Sequence, residues 1–305
     1  MADALTGPME SLSSWWKAAA LGTMAAGFAV LILLTVKAYQ NAPPIPDKFV
    51  DPAGAVVFTA DDVIAGQQVF LKHGLMDNGT IWGHGGYLGP DFSAQSLHIL
   101  ALDLADRIAR ERLSRGYIDL TPEERAAVEG TVALVLKANR YDPANGTLAL
   151  PTGAAESFNG QIEYWTRYFG GPERNGGLAR EVVIDPRELR QLSAFFAWTA
   201  WGSAATRPAT PHSYTNNFPY EPLAGNTPTA GALIYSALSL VFLLGGTAAV
   251  LLAFGKFDYL GWHRREAIAA RRAGHIFCLR ARARGKSQQI RQFCAGAISL
   301  ITLTH

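Results

Sequence analysis

Cysteine is nearly missing from this sequence. Its two copies, Cys278 and Cys294, both lie near the C-terminal end. Everything before Cys278 therefore lacks a disulfide, a paired-cysteine zinc site and the Cys-x-x-Cys-His motif that attaches haem covalently. So little cysteine is compatible with either side of a bacterial membrane and selects neither.

Charge is also scarce, at 17% of residues against 49% hydrophobic, and mean hydropathy is positive. It is absent from two long runs. Residues 18–36 (AAALGTMAAGFAVLILLTV) are uncharged, bracketed by Lys17 and Lys37, with Trp15 and Trp16 just ahead. As a helix this run reaches ~28 Å, against a hydrocarbon core of about 30 Å. A signal peptide would carry a shorter apolar core and a small-residue cleavage site. A buried soluble helix would carry polar residues on one face. The run instead leads into a stiff Pro43-Pro44-Ile45-Pro46 spacer and reads as a retained membrane anchor. Residues 230–254 are a second uncharged run, long enough to span a bilayer with some tilt. Neither run holds a histidine, aspartate or glutamate, so no redox metal can be ligated from them. The seven tryptophans and ten tyrosines suit membrane interfaces.

Between the runs the composition is that of a predominantly α domain with short strands, large enough for its own core. Asp51-Pro-Ala-Gly54 followed by AVVFT reads as a turn and a strand. Thr59 with Asp62 marks a helix start, and Val63, Ile64, Val69 and Phe70 follow at helical spacing. Residues 93–115 form an amphipathic helix with Leu97, Leu100, Ala101, Leu104, Ile108 and Leu113 as its stripe. Thr121-Pro-Glu-Glu124 is a capping box with proline at the first helical position, and Val128, Val132, Val135 and Leu136 face the core. Residues 141–152 read as a turn or hairpin. Residues 156–169 form a further helix stopped by Gly170-Gly171-Pro172, and Asp185-Pro-Arg-Glu188 opens another that runs to Trp198. Residues 197–222, dense in aromatics and prolines, read as an irregular segment placed at the membrane face.

The chain is organised around residues 72–92 (KHGLMDNGTIWGHGGYLGPDF), a glycine-rich stretch without helical or strand periodicity. Such a stretch is a loop that turns sharply or approaches something closely. Asp77 and Asp91 read as loop caps. His73 and His84, without carboxylate or cysteine support, read as hydrogen-bonded surface groups rather than metal ligands.

Charge asymmetry sets the topology. Beyond residue 254 the chain is rich in Lys and Arg, with Asp258 and Glu266 its only acids, whereas the domain has an acidic excess. The positive-inside rule places residues 1–17 and the basic tail 255–305 in the cytoplasm. Transmembrane helices then occupy residues 18–37 and 229–254, and the domain 38–228 is periplasmic, in a bacterial inner membrane. The net charge of +2 says little by itself, and no nucleic-acid partner is expected.

Several stretches together resemble quinol-dependent nitric oxide reductase. They are residues 42–47 (APPIPD), 65–71 (AGQQVFL), 74–86 (GLMDNGTIWGHGG), 87–92 (YLGPDF), 195–201 (FFAWTAW), 214–222 (YTNNFPYEP) and 257–262 (FDYLGW). In that family an N-terminal anchor and a cytochrome c-like domain are fused to a catalytic unit. That unit reduces nitric oxide to nitrous oxide, in denitrification or detoxification, using haem b, a high-spin haem and a non-haem iron. The resemblance implies that this chain is the anchor and domain alone, with catalytic unit and quinol site missing and no independent catalysis. Alignment on the family's Gly-Ala-Tyr-Phe-Ala-Pro stretch puts the haem-attachment slot on residues 75–79. Leu75 and Asn78 then replace the two cysteines, and Gly79 replaces the axial histidine. The domain is therefore expected to be haem-free, with electrons entering the family's reaction from a membrane quinol. The same resemblance makes Gly85 and Tyr87 backbone ligands of an interface calcium, whose main carboxylate would come from the catalytic unit.

The expected partners are membrane lipid and that catalytic unit. After Trp262 the family pattern stops; the tail beyond it reads either as a frameshifted or truncated end or as a basic membrane-surface helix. Two other functions remain open. One is a non-enzymatic periplasmic docking module held by two helices, with residues 197–222 as its contact surface. The other is a cytochrome holding haem non-covalently through His73, His84 or His98.

Overall fold

The computed structural model describes residues 14–171 and 175–257. Cys278, Cys294, the basic tail and most of the 257–262 stretch lie outside the described residues. The chain divides into two units, Met1–Thr229 and Ala230–His305. The first opens with helix α1 (Ser14–Gln40), and the second holds helix α7 (Ala230–Leu251), which continues as a π-helical turn over Leu252–Lys256. Lys17–Gln40 and Ala230–Lys256 are each long and apolar enough to cross a membrane, and neither is buried in protein. Two bare apolar helices of this length are disfavoured in water and suit a bilayer.

The remainder of the first unit is mostly helical, as its sequence implies. Strands β1 (Lys48–Val50) and β2 (Val56–Thr59) pair antiparallel, with Phe49 opposite Phe58 and their rings stacked 4.1 Å apart. Helix α2 (Ala60–Lys72) starts at the Thr59–Asp62 capping box. A small hairpin, β3 (Thr80–Ile81) and β4 (His84–Gly85), leads to α3 (Phe92–Leu113). Helix α4 (Pro122–Lys137) starts at the second capping box, with Pro122 in its first turn. The hairpin β5 (Tyr141–Asp142) and β6 (Thr147–Ala149) then returns to the first sheet. There β6 runs parallel to β1, giving the strand order β2-β1-β6-β5. Helices α5 (Ala154–Gly170) and α6 (Pro186–Ala204) complete the unit.

Two apolar cores result. One joins the sheet to α2, α5 and α6 through Phe49, Phe70, Phe92, Trp165, Phe169 and Phe196. The other packs α3 against α4, with Ala200 and Ala204 of α6 completing it. Helix α6 spans both, so it is the spine of the domain. Its crossing with α2 is close: a Cβ on Gly66 would lie 2.0 Å from the Gln191 carbonyl oxygen. We expect Gly66→Ala to destabilise the domain by about 3 kcal/mol, because two backbones must separate. Urea denaturation of the full chain would measure it.

Residues 197–222 differ from the sequence expectation. The helix expected to run to Trp198 continues to Ala204, so residues 199–204 belong to α6 and are not irregular chain. The segment after them is folded onto the domain. Asn226 is fully buried and donates to the Ser203 and Pro219 carbonyls, at 2.9 and 3.1 Å. Lys137 Nζ donates to Asn217 Oδ1 at 2.9 Å and also to Asn226 Oδ1. Sequence patterning does not reveal this because the fixing groups are single asparagines, which have no periodicity. The proline spacer is likewise docked, since Trp198 Nε1 donates to the Pro44 carbonyl at 2.9 Å. The C-terminal turns of α6 thus hold both ends of the domain, at Pro44 and at Asn226.

Candidate functional site

The glycine-rich stretch forms a compact platform rather than an open loop. Helix α2 ends at Lys72, Gly74 turns the chain with φ 61°, and a short 3₁₀ turn covers Leu75–Asp77. Leu75 is fully buried in the aromatic core. Asn78, only 4% exposed, is the hub. Its Nδ2 donates to the Asn175 and Gly176 carbonyls at 3.2 and 2.7 Å, and its Oδ1 accepts from the Tyr168 hydroxyl at 3.2 Å. Its carbonyl accepts from the amides of Leu88 and Gly89. Burial, with Tyr164 nearby, pushes the Tyr168 phenol up to about 12, so it stays a neutral donor.

The β3–β4 connection is a two-residue turn with positive φ at Trp82 (52°) and Gly83 (80°). That conformation is uncommon for so bulky a residue. Trp82 is held in it by three contacts: its amide donates to Ser93 Oγ at 3.0 Å, its indole donates to the Thr199 carbonyl at 3.0 Å, and its ring packs against Trp198. Asp91 pins the platform to α3. One carboxylate oxygen accepts from the Ala94 amide at 2.8 Å and from the Ser93 hydroxyl. The other accepts from the Thr80 hydroxyl at 2.7 Å and the Gly83 amide at 2.6 Å. The cap expected at Asp91 is present. Asp77 lies within the 3₁₀ turn instead of preceding a helix.

Beneath the platform the core is filled with rings. Phe92 stacks on Phe196 at 4.9 Å and 6°, and Trp165 meets both, at 5.6 and 4.9 Å. Phe70 closes on Phe92 edge-on at 5.7 Å. Above it Tyr87 and Leu88 project into solvent, 87% and 76% exposed.

The family model for the cytochrome c-like domain of NorB, a nitric oxide reductase polypeptide, matches residues 46–220, more than half of the 305 residues. The chain belongs to this family. No curated protein matches it.

Within this cytochrome c-like domain the slot assigned from the sequence is Leu75, Asn78 and Gly79. The structure brings all three together, each occupied by packing: Leu75 in the core, Asn78 in its hydrogen bonds, and Gly79 against the chain. A Cβ on Gly79 would lie 2.3 Å from the Pro90 carbonyl and 2.6 Å from the Phe92 ring. Gly85 (φ 141°) lies against the same backbone, where a Cβ would come within 2.3 Å of the Gly79 carbonyl. Tyr87, the second residue assigned to calcium, sits on the exposed tip.

The three candidate histidines are placed on separate features. His73 Nε2 lies 3.0 Å from Glu188 Oε2 at the start of α6, His84 lies on exposed β4, and His98 Nδ1 lies 2.8 Å from Glu221 Oε2. No group of three or more His, Cys, Asp or Glu capable of holding a metal occurs among the described residues. Glu188 and Asn175 are partners supplied from far along the chain, and neither stands out in the sequence as a site residue. Only the acid in the first turn of α6 gives any signal for Glu188.

The Lys72 ammonium, then His73, hold the Glu188 carboxyl below its ordinary value of 4.5. A carboxyl lowered on folding contributes stability that is complete above the unfolded pKa and lost as pH falls through the folded one. We expect this contribution, about 0.5–1 kcal/mol for a pair so near the surface, to fade below about pH 4.5. Glu188→Gln should flatten that part of an acid-denaturation curve.

Proposed function

We propose that this chain is the membrane-anchored, haem-free cytochrome c-like part of a quinol-dependent nitric oxide reductase. In this reading it carries no redox centre and contributes a docking domain to a catalytic unit that reduces nitric oxide to nitrous oxide. The observation that carries the reading is the packing at Gly79. Thioether attachment needs cysteines where Leu75 and Asn78 stand, and an axial histidine needs room where Pro90 and Phe92 already touch Gly79. The residues present therefore do not fit a covalent haem. Phe92 stacked on Phe196, with Trp165 edge-on to Phe196, packs rings beneath Gly79, and this supports the haem-free reading.

The positive-inside asymmetry supports a periplasmic domain in the inner membrane. The exposed tip at Tyr87 and Leu88 supports the platform as the side that meets the catalytic unit. Calcium at Gly85 and Tyr87 would take backbone oxygens from this chain and its carboxylates from that unit. Asp91, with both oxygens already accepting hydrogen bonds, has little left to give.

The test is anaerobic nitric oxide consumption with a reduced quinol, on membranes containing only this chain, with haem and iron content measured alongside. The expected result is no turnover and no haem. Turnover accompanied by stoichiometric haem in the purified chain would overturn the reading.

A further inference from the structure

The two apolar cores do not meet perfectly. At their seam lies a cavity of about 50 Å³, walled by Phe49, Phe58, Leu97, Leu148 and the small side chains of Ala200 and Ala204. It exists because small alanine side chains line α6 where it passes from one core to the other. Its polar neighbours satisfy one another: Ser96 Oγ donates to Gln161 Oε1 at 2.5 Å, and Gln161 Nε2 donates to Ser157 Oγ at 3.4 Å. The Trp201 indole N–H, at the wall, is buried without a partner among the described residues.

A wider groove of about 440 Å³ adjoins this cavity and shares Val135, Arg140, Ala149, Leu150 and Pro151 with it. The groove adds Arg107, Glu111, Arg112 and Thr131. Arg107 is matched by Glu111 at 2.8 Å. The other two arginines have no carboxylate partner among the described residues. Arg112 donates to Thr131 Oγ1 at 3.2 Å, and Arg140 donates to the Val135 and Ala138 carbonyls at 2.7 and 3.3 Å. Burial lowers the Arg140 pKa, yet a guanidinium stays charged at any ordinary pH. A half-buried cation without a counter-charge is a cost that a bound anion would offset.

We propose that this site binds a small amphipathic carboxylate, with its alkyl chain in the seam cavity and its head at Arg140 and Arg112. The two compartments supply the two halves of such a ligand, and Val135, Arg140, Ala149, Leu150 and Pro151 line both. A water-sized group needs about 10–15 Å³, so the cavity accommodates a chain of about four carbons. The planar fork of a guanidinium matches a carboxylate better than a spherical anion. The proposal stands independently of any role in nitric oxide reduction.

The test is isothermal titration calorimetry on the full chain in lipid nanodiscs, with empty nanodiscs as control. The probes are acetate, butanoate, hexanoate and hexan-1-ol. Saturable binding of hexanoate is expected, with affinity rising about fourfold per methylene from acetate until the cavity is full. Arg140→Gln and Arg112→Gln should each weaken hexanoate several-fold and leave hexan-1-ol unchanged. Ala200→Leu should weaken hexanoate while sparing acetate. If Arg140→Gln loses its fold, Arg112→Gln carries the charge test alone, since among the described residues that side chain makes only the Thr131 hydrogen bond. No saturable heat, hexan-1-ol binding as tightly as hexanoate, or charge variants without effect would each overturn the proposal.

Discussion

A chain carrying Gly79→His is expected to lose its folded core rather than to gain an axial ligand. The first atom of any side chain at this position would lie 2.3 Å from the Pro90 carbonyl and 2.6 Å from the Phe92 ring. Neither neighbour can yield cheaply. Pro90 O accepts the Thr80 amide at 3.0 Å, and Phe92 is fully buried, stacked on Phe196 and against Trp165. Overpacking of this kind costs more than the usual 1–3 kcal/mol because both neighbours are held from behind. We expect on the order of 5 kcal/mol, comparable to the whole stability of a marginal domain. Loss of the cooperative urea transition in the full chain, followed by tryptophan fluorescence, is the expected observation. A Gly79→His chain that unfolds at the wild-type midpoint would show that the Phe92 side of the slot is loose, and the packing argument at Gly79 would fall.

Asp91→Ala is the second large effect, at about 4 kcal/mol. The carboxylate caps α3 through the Ala94 amide and also accepts from Thr80, Gly83 and Ser93. A lost cap costs roughly 0.5–2 kcal/mol, and each charge-assisted hydrogen bond about 1.5–3 kcal/mol, with strong overlap between them. The Gly83 amide would be left unpaired in a turn where Trp82 already holds an uncommon conformation. Hydrogen exchange should report it locally, as faster exchange at Thr80, Gly83 and Ala94, with α4 little changed. Uniform loss of protection across α4 as well would mean that the platform and the α3–α4 core unfold as one. Asp91→Asn should recover part of the loss, since an amide oxygen still accepts at the cap.

Much of the helical framework is legible in the sequence, and for local reasons. Capping boxes at Thr59 and Thr121, proline in the first turn of α4, and the apolar stripe of α3 are short-range signals, and the structure follows them. The irregular reading of residues 199–204 fails for a physical reason too. Those residues are small and aromatic without a clear stripe, yet α6 is packed on several sides, so periodicity carries little information there. The hub at Asn78 is equally invisible, because Tyr168, Asn175 and Gly176 reach it only after the chain has folded back.

Side-chain inventory and chain length already decide two properties of this protein. The absence of cysteine before Cys278 rules out thioether-attached haem in the domain, and two uncharged runs are each long and apolar enough to cross a bilayer. No folding can add a missing side chain or shorten an apolar run, whereas that both apolar helices stand bare of protein is read from the structure. How the domain is held together is a matter of tertiary structure. Distances across the fold set the room left at Gly79, the rings filling the core beneath it, and the anchoring of both domain ends on α6. Such distances depend on which distant residues the packing brings together, and no local pattern encodes them.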